Sequence, residues 1–358
     1  MKRRSATHKL TLILVSAVFL AIGCNKSADS FSLLADASSY KQNAQYIPRK
    51  VDILWVIDNS GSMDNSQTRL ANSFSAFISK FMTTDSDFHM AVTTSDAFLA
   101  PYDAQYANFS RIRDGVGSVH SGVFVMDKNT PDMESVFLKN IKQGIKGSGD
   151  ERAFSSFKAT LSDPWNASFR RPDAFLAIII VSDEDDFSHN DSTNGLKSYY
   201  FSENYNDAKM YSVQSYVDDL TNYTANAGAG KNFSVNTISI LDSVCLAQLK
   251  DSAQKIGQRY IALADATGGQ KISLCSDFSQ SLQVLSESIV ELSSVFQLTR
   301  EPLPETISVV VDGTEVPQNA TNGWTYDATT ISIAFHGTAI PTAGADVRIN
   351  FDPKGVKN

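Results

Sequence analysis

At 358 residues, 42% of them hydrophobic, the chain is long enough to bury one sizeable core and leave a smaller second unit. Its 39 acidic against 31 basic side chains give a formal charge of −8 at pH 7, a field that repels phosphates and argues against nucleic acid or anionic lipid headgroups as partners. Five histidines scattered singly, with no H-x-x-x-H spacing and no neighbouring Cys, leave no zinc pattern.

Residues 1–23 open with Lys2, Arg3, Arg4 and Lys9 and continue as LTLILVSAVFLAI, an apolar core too short to span a bilayer as a mature helix. This predicts an export signal peptide. It ends in LAIGC, which resembles the lipobox of bacterial lipoproteins, in which the cysteine, here Cys24, is lipidated and becomes the new N-terminus; a plain secretory signal with an incidental cysteine is the alternative. Either way export is expected, and removing four basic and no acidic residues moves the formal charge from −8 to −12. Asn25 after Cys24, judged by the lipoproteins this start resembles, favours the outer membrane of a bacterial cell envelope. Residues 24–50, rich in Ser, Ala, Asn and Gln without a sustained period, are read as a flexible tether with a reach of roughly 25–30 Å.

From residue 51 to about 298 buried strands alternate with amphipathic helices. VDILWVI, FHMAVTT, AFLAIIIVS, FSVNTISIL and KISL read as strands, and GVFVM as part of a short hairpin. Leu70, Phe74, Phe77, Ile78 and Phe81 recur on one helical face. Further helices are expected in MESVFLKNIKQGI, ERAFSSFKATL, MYSVQSYVDDLTNYT, QKIGQRYIALADATGG and SQSLQVLSESIVELSSVF. Strand and helix in turn predict an α/β fold with a doubly wound, mostly parallel sheet flanked by helices. Residues 302–358 change character: ISVVVDGTEVP, NGWTYDATTISIAF and ADVRINFDP are alternating runs punctuated by Asp-Gly, Asn-Gly and Pro, and predict a small C-terminal all-β module.

The chemistry is concentrated in VDILWVIDNSGSMDNSQ, residues 51–67. Asp58, Ser60 and Ser62 follow directly on a buried strand, and in a doubly wound sheet ligands bind outside the carboxyl ends of strands. One carboxylate and two hydroxyls are hard oxygen donors, suited to Mg²⁺ or Ca²⁺ and poorly to zinc. Capping of the following helix by Ser62 and Asp64 is the simpler alternative. Against it stands Asp183, delivered at the carboxyl end of AFLAIIIVS in the run SDEDD. If the two strands are neighbours where strand order reverses, Asp58 and Asp183 meet over the loop.

DILWVIDNSGSM with a later IIIVSDEDD resembles the von Willebrand factor type A domain, and the resemblance covers roughly residues 50–298. It implies a metal-ion-dependent adhesion site with Ser60 and Ser62 as direct ligands, Asp58 and Asp183 as direct or water-bridged ones, and an open position for the Asp or Glu carboxylate of a protein partner. The family's threonine loop is missing: IKGSGDERAF stands there, so Ser148 or Glu151 is the expected substitute. For Asp150 and Glu151 the alternative is a helix N-terminus where acids favour the dipole. The chain is also similar to a narrower group of exported bacterial lipoproteins that carry SDEDD, a GRY-like helix end, here Gln258-Arg259-Tyr260, a TGG turn at Thr267–Gly269 and a terminal β module. Asp185 and Asp186 are read as a solvated acidic loop, with a second cation as the alternative.

Cys245 and Cys275 remain once Cys24 is lipidated, an even pair in an oxidising compartment, and a disulfide worth roughly 3–4 kcal/mol is expected, with two buried thiols as the alternative. GAGKN at 228–232 lacks the glycine spacing and the hydroxyl of a phosphate loop, and no G-x-S-x-G elbow is present. The functional expectation is an envelope-anchored adhesion module rather than an enzyme. Its rivals are a metal-dependent phosphatase with Asp58 as nucleophile, which would want a second acid where Ser60 stands, and a scaffold whose β module makes the contacts.

Overall fold

The computed structural model describes residues 40–45, 50–84, 86–190, 205–225, 232–249, 254–342 and 344–355. In chain order these form β1 (Tyr40–Gln45), β2 (Val51–Ile57), α1 (Asp64–Asn72), α2 (Phe74–Thr83), β3 (Phe88–Thr94), β4 (Gly115–Val116), β5 (Val119–His120), β6 (Met126–Asp127), α3 (Met133–Ile141) and α4 (Ala153–Ser162). There follow β7 (Phe175–Val181), α5 (Val213–Tyr223), β8 (Phe233–Ser239), α6 (Ser243–Leu249), α7 (Gln258–Thr267), β9 (Lys271–Ser273) and α8 (Phe278–Ser293). The terminal strands are β10 (Val295–Gln297), β11 (Ser308–Val311), β12 (Thr314–Val316), β13 (Gly323–Asp327), β14 (Ser332–His336) and β15 (Asp346–Phe351).

Six strands form the central sheet in the order β6-β3-β2-β7-β8-β9, parallel throughout except for β6 at one edge. All residues of β2, β7 and β8 are buried, which is why their sequences read as unbroken apolar runs. The period of two divides them between two cores: Ile53, Trp55 and Ile57 pack with Phe74, Phe77, Phe137 and Leu285 on one face, and Leu54 and Val56 with Phe154, Phe157, Tyr216 and Leu263 on the other. Helices on both faces make the sheet doubly wound. Asp52 is the exception inside the first strand, its buried carboxylate answered by Arg170 Nη1 at 2.9 Å and Arg171 Nε at 2.8 Å.

The apolar face expected as one helix is split at Ser73, where the chain turns between α1 and α2 without losing the burial of Leu70, Phe74, Phe77 and Phe81. Of the expected hairpin strand at GVFVM, Met126 alone is in a strand, with Asp127, paired to the edge of β3.

The terminal strands make two small sheets, β10-β14-β13 and β1-β15-β11-β12. Val295 and Phe296, expected as the tail of the last helix, lie instead in β10, which pairs with β14. Packing is continuous across the boundary expected near residues 298–302: Trp324, Ile333, Phe335 and Val347 belong to the same apolar cluster as Leu285 and Ile289 of α8, and His336 pairs with Glu291. The stretch 24–50 is not a tether throughout. Tyr40–Gln45 runs antiparallel to β15, because an edge strand needs main-chain groups on one side only and a polar composition does not forbid it. The signal peptide 1–23 and Cys24 lie outside the described residues, within which no helix is long and apolar enough to cross a membrane.

Cys245 of α6 and Cys275 after β9 are joined by a disulfide, their Cα atoms 5.6 Å apart.

Candidate metal centre

The chain leaves β2 for β3 on one side and returns to β7 on the other, so the crevice between the carboxyl ends of β2 and β7 is the switch point of the sheet. The ladder continues one step beyond the strands, where Asp58 N donates to Val181 O at 2.9 Å. From there the chain enters a single 3₁₀ turn, Gly61–Met63, that runs into α1. Gln67, buried on the inner face of α1, fastens this loop: its Nε2 donates to Asp58 O and to Gly144 O, both at 2.9 Å, and its Oε1 accepts from Gln143 N. A polar residue on the apolar side of an amphipathic helix is the only sequence signal for it.

Asp58, Ser60, Ser62 and Asp183 come together. Asp58 is 1% exposed; its Oδ1 accepts from Ser60 N at 2.8 Å and its Oδ2 from the Ser182 hydroxyl at 2.7 Å. Ser60 and Ser62 hydroxyls lie 3.4 Å apart, and Ser62 Oγ donates to Asp183 Oδ1 at 3.0 Å. Asp183 Oδ2 accepts from Gln254 Nε2 at 2.9 Å. Burial, and then the charge of Asp183, push the Asp58 carboxyl up to about 6, while the hydrogen bonds from Ser182 and Ser60 pull the other way. A donated proton leaves each serine oxygen its lone pairs, so both hydroxyls keep capacity to coordinate a cation.

The segment 147–152 supplies the third side. Gly147 presses against the loop that carries Asp58: its N–H donates to Asn59 O at 2.8 Å, and a Cβ there would lie 2.6 Å from the Asn59 side chain. Asp96, after β3, ties the same two loops, accepting from Asn59 Nδ2 and from Ser148 N at 3.1 Å each; the sequence reading does not single it out, although it follows a strand end as Asp58 does. Ser148 and Glu151, the two expected stand-ins for a threonine, fare differently. The Ser148 hydroxyl accepts from Asp150 N at 3.1 Å, and Asp150 pairs with buried Arg152. Glu151 is 1% exposed and neither carboxylate oxygen has a partner in hydrogen-bonding geometry, although Ser95 stands near enough to favour its charged form slightly. Burial and then the charge of Asp58 hold its carboxyl well above the usual range, with Glu184 and Asp96 adding to the shift.

The donor set therefore fits a hard divalent cation in one specific way. Among the described residues no three His, Cys, Asp or Glu side chains cluster closely enough to hold a metal by themselves. Asp58, Asp183 and Glu151 thus do not all reach one point, and a cation at this crevice would have the serine hydroxyls and water as inner ligands, with carboxylates supplying charge around them.

Asp185 and Asp186 do not form the expected solvated loop. Both are buried, because they cap helices that start far away in sequence: Asp185 Oδ1 accepts from Arg259 N at 3.0 Å at the start of α7, and Asp186 Oδ1 from Phe154 N at 2.9 Å at the start of α4. Arg259 also pairs with Asp186 at 3.2 Å. The TGG turn has its own reason: Gly268 closes α7 at φ +70°, and a Cβ on Gly269 would lie 1.9 Å from Val235 O.

No family model matches the chain, and no curated protein matches it. Among solved structures it is similar to the pilus adhesin SpaC of Lactobacillus rhamnosus GG, at 10% identity and TM-score 0.36 over 88% of this chain and 41% of that one. The pilus adhesin RrgA of Streptococcus pneumoniae matches at 12% identity and TM-score 0.30, over 87% and 58%. Proximal thread matrix protein 1 of the mussel byssus matches at 11% identity and TM-score 0.34, over 72% and 52%. The chain spans about half the length of these structures.

Proposed function

We propose that the chain is a von Willebrand factor type A-like adhesion module that holds Mg²⁺ or Ca²⁺ in the crevice between β2 and β7 and through it recognises an Asp or Glu carboxylate of a protein partner. Ser60 and Ser62 would be the protein's inner ligands, with Asp58, Asp183 and Glu151 compensating charge through water. When bound, the cation supplies a positive charge that a partner carboxylate can complete. The chain's own residues do the rest: Gln67 and Gly147 fix the loop, Ser182 orients Asp58, and Gln254 orients Asp183. Ser60 stands where a phosphatase would need its general acid, which favours binding over catalysis.

The observation that carries this reading is Glu151. A carboxyl that is fully buried, without a hydrogen-bond partner and opposed by Asp58 resists ionising, and a cation held by Ser60 and Ser62 would lift that opposition. In the cell we place the module in the bacterial envelope, held to the outer membrane by a lipid on Cys24. The test is calorimetric titration of the mature domain with Mg²⁺ and Ca²⁺, beside capture of envelope proteins with and without chelator. Asp58→Ala should lose both metal binding and metal-dependent capture; equal metal affinity in the two proteins means that the cluster is only a helix cap.

A further inference from the structure

A cavity of about 720 Å³ opens beside the metal loop, and its wall has a composition unusual for an acidic protein. It is lined by Asn59, the residue after Asp58, by Asp96 and Thr94 from the end of β3, and by Arg113, His120 and Lys146. Arg113 is the informative group. Its guanidinium is mostly buried, which lowers its affinity for a proton; Nη2 donates to Phe109 O at 3.1 Å, and Nε has no partner. The charges of Asp96 and Asp114 help to offset that burial, yet neither carboxylate forms an ion pair with it. Asp96 is committed elsewhere, to Asn59 and Ser148 N, and Asp114 to His120 at 2.9 Å. Nε is shut off from the cavity, but the terminal nitrogens make a single hydrogen bond, to Phe109 O, and touch no carboxylate, so the guanidinium can take an anion from outside through them.

The surroundings extend this character. A second cavity of about 370 Å³ shares Val116 and Gly144 with the first and adds Lys139 and Lys142 against a single acid, Asp64. Lys139, Lys142 and Lys146 make no ion pair among the described residues. Val116, Val119 and Ile145 stand 43%, 54% and 44% exposed between them. Basic groups interleaved with exposed aliphatic ones, on a chain with a formal charge of −8, form a locally positive strip next to the metal crevice.

We propose that this cavity, with Arg113 and Lys146 as its cationic side chains, is a second subsite that binds another carboxylate of the same partner segment, so that the chain recognises an acidic peptide and not an isolated Asp or Glu. The inference rests on the metal-dependent reading for its first contact, and adds a metal-independent one. Asn59 links the two, since it faces the cavity and belongs to the loop that carries Asp58 and Ser60.

The probes are two synthetic peptides, blocked deca-glutamate and blocked Gly-Gly-Glu-Gly-Gly, titrated against the mature protein in Mg²⁺ or Ca²⁺ and in chelator. Deca-glutamate should bind at least tenfold more tightly than the single-Glu peptide, and Arg113→Gln and Lys146→Gln should each reduce that advantage while leaving metal affinity and the single-Glu peptide unchanged. Lys146 is exposed, so its variant keeps the test open should Arg113→Gln fold poorly. Equal metal-dependent binding of deca-glutamate by wild type and both variants overturns the subsite and leaves the metal reading standing. Binding that ignores chelator but falls in both variants overturns the metal reading and leaves the subsite. No deca-glutamate binding at millimolar concentration overturns the subsite outright.

Discussion

Ser62 and Asp183 meet through a hydrogen bond of 3.0 Å, although 121 residues separate them in the chain. That bond closes the gap between the loop after β2 and the loop after β7, and it brings a hydroxyl and a carboxylate to the same crevice. It also keeps Asp183 close enough to Asp58 for each to feel the other's charge.

Asp58 should cost the metal-free fold stability. Its folded pKa, about 6, lies above the ordinary 3.8, so its contribution is fully favourable only below about pH 4 and is lost as pH rises through 6. Asp58→Asn removes the charge and keeps the shape. In chelator at pH 8 the variant should gain at most about 3 kcal/mol, seen as a rise of several degrees in thermal unfolding, and at pH 4 it should match wild type.

Glu151 and Ser148 can be told apart by titration. Glu151→Gln should weaken Mg²⁺ or Ca²⁺ binding by at least tenfold and raise metal-free stability at neutral pH, because it removes an acid that burial opposes ionising in the fold and that ionises freely when unfolded. Ser148→Ala should change metal affinity less than twofold, since its hydroxyl is occupied by Asp150 N. The opposite ranking would make Ser148 the replacement for the threonine.

Asp186→Ala leaves Arg259 buried without its carboxylate and strips the cap from α4, and should destabilise the fold by about 3–5 kcal/mol in chemical denaturation. Asp183→Asn, at the crevice, should cost far less stability and abolish metal binding. Similar losses of stability in the two would contradict this division of the SDEDD run.

The Cys245–Cys275 bridge closes a separation of 30 residues, and the double Ser variant should lose roughly 3 kcal/mol in denaturant unfolding. If Cys24 is lipidated as proposed, Cys24→Ser should release the protein from the membrane fraction; unchanged membrane partition would refute lipidation.

The central sheet is readable in the sequence because β2, β7 and β8 are buried on both faces and show it as unbroken apolar runs. Asp58 and Asp183 are readable because each ends such a run. What escapes depends on contacts remote in sequence. Asp185 and Asp186 look like solvated acids until α7 and α4 bring their N-termini to them. Glu151 looks as much like a helix-start acid as a ligand, and its missing hydrogen bonds are visible only in three dimensions. Tyr40–Gln45 gives no periodic signal, because the ladder that holds it is made of main-chain groups.

That last strand has a mechanical consequence. Tension entering the chain ahead of Tyr40 is met by six residue pairs, from Tyr40 opposite Phe351 to Gln45 opposite Asp346, before it reaches β2 and the crevice. Pulled along the strand, the pairs resist together in shear; pulled across it, they open in succession from Tyr40 like a zip. Once all six have opened, about 20 Å of extended chain is released, while the pairs that join β2 to β3 and β7 belong to a separate ladder.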